Sequence, residues 1–332
     1  MEQEIKKLFY ELGIVVYLVD KKQSLSHTTL YFNVDSIKQL CQIEKSTKLI
    51  STFLRKDIKL KQSSISHFAI SIPNNKSENV NLCDKKYNKI FTSDNKLKIF
   101  AGINEDGDSI CISLDEIPHI LIAGTTGSGK SVMINGIICG LLKQKSYNFH
   151  LTMIDTKRVE LSPYKKLGSE WCSVSTNPID AVEILKNLCD DLEVRYEIME
   201  ENGWRKIPEH YYKEIVIIEE LGDLMMTSKG VVEKYIVKLA QLGRACGMHL
   251  IIATQRPTVD VVTGSIKANI DCRFALKTTS GIDSRNILGH NGAEKLRGSG
   301  DCLLKLPNKA DEIHIQCPFV SDDNILKIIK EF

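Results

Sequence analysis

The chain has 332 residues, of which 42% are hydrophobic and 26% charged, and its formal net charge is +2. This is ordinary globular composition with room for one large domain beside a smaller one, and the overall charge offers a polyanion little attraction. The longest apolar runs, such as residues 120–123 and 215–218, fall far short of the ~20 residues of a membrane span, and MEQEIKKLF has no signal-peptide pattern, so a soluble, cytoplasmic protein without direct membrane insertion is expected.

Residues 1–95 alternate short β-branched runs (13–19, 28–34 and 67–72) with a Lys-rich stretch, 45–61, that predicts a helix. The pattern reads as a small α+β domain. Its polar stretches at 73–81 and 92–98 read as linker, which places a boundary near residue 95. Charge supports the division: residues 1–100 hold 17 Lys/Arg against 10 Asp/Glu, and the remainder 27 against 32.

From residue 96 to 332 short apolar runs alternate with long amphipathic helices, which predicts an α/β fold with a mostly parallel sheet covered on both faces. The runs lie at 120–123, 151–154, 215–218, 250–253, 274–277 and 302–306. Val132, Met133, Ile137, Ile138 and Leu141 recur at helical spacing after the first. Asn177 and Pro178 open a long helix that Gly203 stops. The ten cysteines show no CxxC and no Cys/His spacing of a zinc site, and read as thiols of a reducing cytosol.

GTTGSGKS fits G-x-x-x-x-G-K-[ST] and lies between an apolar strand and a helix, where such a loop must lie to work. Gly124, Thr125, Thr126, Gly127, Ser128, Gly129, Lys130, Ser131 and Val132 form the expected phosphate cradle. The glycines let backbone N–H groups converge on phosphate oxygens, and the following helix adds positive potential. Lys130 would reach the β/γ-phosphates of ATP, and Ser131 would hold Mg²⁺. IVIIEELGDLMM ends a buried strand in two adjacent acids, which is costly unless a cation sits there. In a P-loop fold that cation is the magnesium of the triphosphate: Glu219 would accept hydrogen bonds from metal-bound water, and Glu220 would polarise the attacking water.

PHILIAGTTGSGKS, TKRVELSPY, LGRACGMHLIIATQRPTVDVVTGSIKANI, GIDSRNIL and GAEKLRGSGD together resemble, in order, the motor of the FtsK/SpoIIIE DNA translocases, over about residues 100–320. The resemblance implies a RecA-like P-loop ATPase acting on double-stranded DNA as a homo-oligomeric ring, expected to be a hexamer, with residues 1–95 as its second tier. It implies that Arg244, placed late in a helix, reaches a neighbour's ATP site as an arginine finger, and that Gln255 senses the nucleotide. It also implies that Arg256, Lys267 and Arg285 touch DNA phosphates. Residues 256–297 carry seven Lys/Arg against four acids, the local basic patch such contact needs.

Three departures from the family's pattern stand out. Glu219 occupies the usual Asp position, Gly281 the place of a frequent Lys, and no winged-helix module or membrane anchor accompanies the motor, so a loading or anchoring partner would be expected. The rival expectations are a motor for protein secretion and a nucleotide-binding assembly protein whose turnover Glu219 keeps weak.

Overall fold

The computed structural model describes residues 2–23, 27–56, 58–62, 64, 66–74, 79–92, 96–144 and 148–332, and the boundary expected near residue 95 lies outside them. The chain forms two compact units. One comprises residues 1–80 with 103–109, the other 81–102 with 110–332.

The first unit contains α1 (Glu2–Glu11), β1 (Val16–Gln23), β2 (His27–Val34), α2 (Ile37–Leu54), β3 (Lys59–Gln62) and β4 (His67–Pro73). Its four strands pair antiparallel in the order β1-β2-β4-β3. Phe9 of α1 packs edge-on to Phe32 and Phe68, with ring centroids 6.0 Å away in each case, and these last two rings stack at 5.3 Å. Aromatic pairs in these geometries add to the area they bury, and they fix the helix on the sheet. The Lys-rich stretch 45–61 is not one helix. Ser36 accepts a hydrogen bond from the Gln39 amide and starts α2 earlier, where Leu40, Ile43 and Ile50 make its buried stripe. Arg55 then turns left-handed at φ 51°, and Lys59–Gln62 becomes a strand.

The second unit is built from β5 (Val80–Asn81), a 3₁₀ turn at Lys85–Phe91, β6 (Lys98–Asn104), β7 (Ser109–Ser113), β8 (His119–Ala123), α3 (Lys130–Leu142), β9 (Phe149–Ile154), β10 (Cys172–Ser175), α4 (Pro178–Glu201), β11 (Lys213–Ile218), α5 (Leu221–Leu242), β12 (Met248–Thr254), α6 (Gly264–Asn269), β13 (Cys272–Leu276), α7 (Gly281–Leu288), β14 (Asp301–Lys305), β15 (Ile313–Gln316), β16 (Pro318–Phe319) and α8 (Asp322–Glu331). The principal sheet runs β10-β9-β11-β12-β8-β13-β14-β15-β6-β7. The first six strands are mutually parallel, and β14 and β15 continue antiparallel. Every residue of β8, β11 and β12 is buried, as expected for central parallel strands covered on both faces. Leu185 and Leu192 of α4, with Ile236 and Leu239 of α5, cover one face over Val216, Ile218, Leu250 and Ile252.

Asn177 caps α4 as its sequence predicts, its side chain accepting from the Ile179 amide. The helix before Arg244 ends at Leu242, so Arg244 sits in the following turn and not on the helix. Among the described residues no helix is long and apolar enough to cross a membrane.

Candidate nucleotide site and basic loops

In a parallel sheet the loops at the carboxyl ends of the strands share one edge, and there the site assembles. Residues 124–129 leave β8 and enter α3 at Lys130. Gly127 and Gly129 adopt φ of 77° and 100°. A Cβ on Gly129 would lie 2.5 Å from the Gly300 nitrogen, so the residue must be glycine on two counts. Neighbouring segments hold the loop: the Gly124 amide donates to the Thr254 carbonyl (3.2 Å), the Thr125 amide to Lys277 (2.9 Å), and the Gly300 amide to Ser128 (2.8 Å). Gly129 caps α3 without a side chain, and the first amides of a helix have no internal acceptor, so they stay available to an anion.

Lys130 crosses to β11. Its Nζ donates to Glu219 Oε1 at 2.6 Å and to the Glu219 carbonyl at 2.7 Å, with both side chains nearly fully buried. Glu219 Oε2 is buried without a hydrogen-bond partner. That orphaned oxygen is a free ligand position on a buried carboxylate, and the Glu219 carboxylate and Ser131 hydroxyl are oxygen donors of the kind that fit magnesium. Ser131 and Val132 are half-buried in the first turn of α3, and the Ser131 carbonyl accepts from Asn135 (3.1 Å).

Glu220 is bound from several sides. Oε1 accepts from Thr254 Oγ1 (2.7 Å), the Gln255 amide (3.1 Å) and the Gly222 amide (3.3 Å), and Oε2 from Lys157 Nζ (3.1 Å). Burial alone would raise its carboxyl; Thr254, the Lys130 charge, Lys157 and the Gln255 amide outweigh that and hold it below the ordinary carboxylate value. Gln255 also reaches the phosphate loop, its Oε1 accepting from Thr126 Oγ1 at 3.0 Å. The Arg256 amide donates to Thr254 Oγ1 (3.0 Å), so Thr254, Gln255 and Arg256 connect the acid, the loop and the next segment within three residues.

Arg244 lies elsewhere. It is exposed in the turn before β12, whose seven residues separate it from the carboxyl edge by ~20 Å at ~3.3 Å per residue. Its side chain cannot reach the phosphate loop of the same chain. Buried Arg195 holds that turn, donating to the Cys246 carbonyl at 2.9 Å, and Tyr196 donates to Leu242 at 2.8 Å. Gly243 is packed so closely that a Cβ would sit 2.5 Å from the Leu239 carbonyl oxygen.

Arg256 and Arg285 are exposed, with guanidinium contacts to Met226 Sδ (3.5 Å) and Asn291 Oδ1 (2.6 Å). Lys267 is half-buried on α6 and donates to Asn286 Oδ1; burial, then the charge of Arg273, lower its pKa. Asn286 donates in turn to the Pro257 carbonyl (2.7 Å), so one buried amide joins the segment after Arg256, α6 and α7. Sequence reading missed Lys157, Thr254 and Asn286. All three lie in motifs that resemble the family, TKRVELSPY, LGRACGMHLIIATQRPTVDVVTGSIKANI and GIDSRNIL, which were the available signal.

A phosphate-cradling loop at a strand–helix junction, a lysine on it paired with the acid that ends β11, separated from β8 by β12, and a second acid beside it define a P-loop NTPase of RecA-like α/β fold. The chain belongs to the FtsK/SpoIIIE family, whose sequence profile matches residues 82–215 and 215–259. It is 43% identical over 254 residues to the DNA translocase FtsK of Listeria monocytogenes, covering 71% of this chain and 34% of that one. It is 41% identical over 284 residues to the DNA translocase SpoIIIE of Bacillus subtilis, covering 80% and 36%. The chain thus spans about a third of the length of the curated relatives it matches. Among solved structures, the pCW3 conjugation coupling protein TcpA, in monomer form with ATPγS, is similar over 99% of this chain and 98% of its own, with TM-score 0.70 and 27% identity. The cytoplasmic domain of the Thermomonospora curvata type VII secretion ATPase EccC shares the fold over 77% of this chain and 34% of its own, with TM-score 0.64 and 20% identity.

Proposed function

We propose that this chain is the ATPase motor of a double-stranded DNA translocase, working as a ring of identical subunits, six in number, with residues 1–95 forming its second tier. The observation that carries this reading is the continuous run Thr254–Gln255–Arg256, which bonds the acid Glu220, touches the phosphate loop through Thr126 and leads into the basic segments.

Loop amides and Lys130 bind the triphosphate, with Ser131 and Glu219 as the residues that would hold Mg²⁺. Magnesium, when bound, neutralises charge on the β- and γ-phosphate oxygens. For Lys130 to serve phosphate it must leave Glu219, which frees that carboxylate. Glu220, kept ionised and aimed by its donors, accepts the proton of the attacking water. Arg244, too far from its own site, supplies positive charge to the site of the next subunit, where a planar cation stabilises the transferring phosphoryl group. Arg256, Lys267 and Arg285 contact phosphates without reading bases, which suits movement along any sequence.

The test is the ATPase rate with and without linear duplex DNA at two salt concentrations, with a mass measurement in non-hydrolysable nucleotide. Magnesium-dependent hydrolysis that duplex DNA accelerates, more strongly at low salt, and a closed oligomer are expected. Turnover indifferent to DNA would refute the assignment.

A further inference from the structure

The donors to Glu220 differ in kind: Thr254 Oγ1 and the Gly222 and Gln255 amides are neutral, whereas Lys157 Nζ, 3.1 Å from Oε2, carries a charge. The neutral donors come from the end of β12 and the first turn of α5. Lys157 comes from the open side, with its side chain 38% exposed against 2% for Glu220.

The turn that presents Lys157 is a built structure. It leaves β9, the strand paired with β11, immediately after Asp155. The Asp155 side chain, fully buried, accepts from the amides of Arg158 (2.9 Å), Glu160 (3.0 Å) and Leu161 (3.0 Å). Thr156 Oγ1 donates to Asp223 Oδ2 of α5 at 3.0 Å, and Arg158 takes the left-handed φ of 62° that closes the turn. Three amide bonds, a side-chain bond and an unusual backbone angle thus fix one lysine against one carboxylate.

We propose that Lys157 is a positioning residue for ATP hydrolysis, which holds Glu220 by Oε2 so that the carboxylate stays correctly turned toward the attacking water. This rests on the reading of Glu220 as the group acting on that water. The charged groups around the pair are Lys130 of α3, Glu219 at the end of β11, Asp223 of α5 and Arg256 beyond β12. Lys130 is committed to Glu219 or to phosphate, and Arg256 points to Met226, which leaves Lys157 as the cation bonded to Glu220.

Steady-state hydrolysis by the full chain, with duplex DNA present, tests this in Lys157→Gln, Lys157→Arg and Glu220→Gln, beside equilibrium binding of a fluorescent ATP analogue. Lys157→Gln should lower kcat on the order of tenfold, a fraction of what a positioned base contributes, and leave KM and nucleotide affinity as they are. Lys157→Arg, keeping a charged donor at the same place, should restore most of kcat. An unchanged kcat in Lys157→Gln would overturn the proposal, as would a raised KM at unchanged kcat, which would make Lys157 a nucleotide contact. Intact turnover in Glu220→Gln would instead remove the underlying assignment of Glu220, and the proposal with it.

Discussion

Lys130 Nζ and Glu219 Oε1 lie 2.6 Å apart with side-chain exposures of 2% and 1%, while Glu219 Oε2 has no partner. Breaking a buried pair by removing one member leaves an uncompensated charge and costs ~3–5 kcal/mol, whereas removing both is often near neutral. Lys130→Met should therefore lower stability by about that much, measured as a shift of the urea midpoint, and Lys130→Met with Glu219→Gln should recover most of it. Neither variant should hydrolyse ATP, so stability and turnover will separate in the double variant.

The length of β12 between Arg244 and the nucleotide edge predicts complementation. Arg244→Ala alone should bind nucleotide but not turn it over, and Lys130→Ala alone should be inactive. Mixed in equal amounts they should regain partial hydrolysis, because some sites then combine an intact Lys130 with an intact neighbouring Arg244. No recovery in mixed oligomers confirmed by mass would count against a shared site.

Removing one cation that binds a DNA phosphate should flatten the salt dependence of DNA binding by about 0.9 in the slope of log K against log salt. Arg256→Ala, Lys267→Ala and Arg285→Ala should each do so, weakening binding alike on unrelated sequences. Asn286→Ala should weaken it too without removing a charge, because its amide holds the Lys267 amine and the Pro257 carbonyl. A salt titration by fluorescence anisotropy reads all four.

His249, buried on β12, is pushed down to about 3 by burial and then by His119, itself held at about 4 chiefly by burial. A folded pKa below the unfolded value of ~6.5 means that the unfolded chain binds the proton more readily, so stability declines as pH falls below ~6.5. The cost approaches ~1.4 kcal/mol per pH unit for each such group. Between pH 7 and 5 the wild type should lose about 2 kcal/mol relative to His249→Leu, which has no group there to protonate. Urea denaturation of the two proteins at both pH values checks the sign, since the groups they share cancel.

The sheet of the larger unit was readable because central parallel strands are continuous apolar runs, and residues 120–123, 151–154, 215–218 and 250–253 all fall inside observed strands. Shorter or polar strands escaped: Lys59–Gln62 has one partly buried position among four, so no alternation marks it, and its lysines read as a helix surface. The phosphate loop was legible because its chemistry is local, a run of glycines, a lysine and a serine between a strand and a helix. Lys157 was not assigned, since its partner lies 63 residues away and nothing near TKRVE announces a carboxylate.

Family and fold class thus follow from the order of residues, because backbone freedom at glycine, apolar periodicity and charge type are properties of neighbours along the chain. Which carboxylate each lysine meets, that Arg244 is barred from its own site, and that Asn286 ties two basic segments together follow only from strand order. Parallel pairing of β9, β11, β12 and β8 sets residues distant in sequence side by side at one edge and sends the turn before β12 to the other. Those distances depend on long-range packing, and no local pattern encodes them.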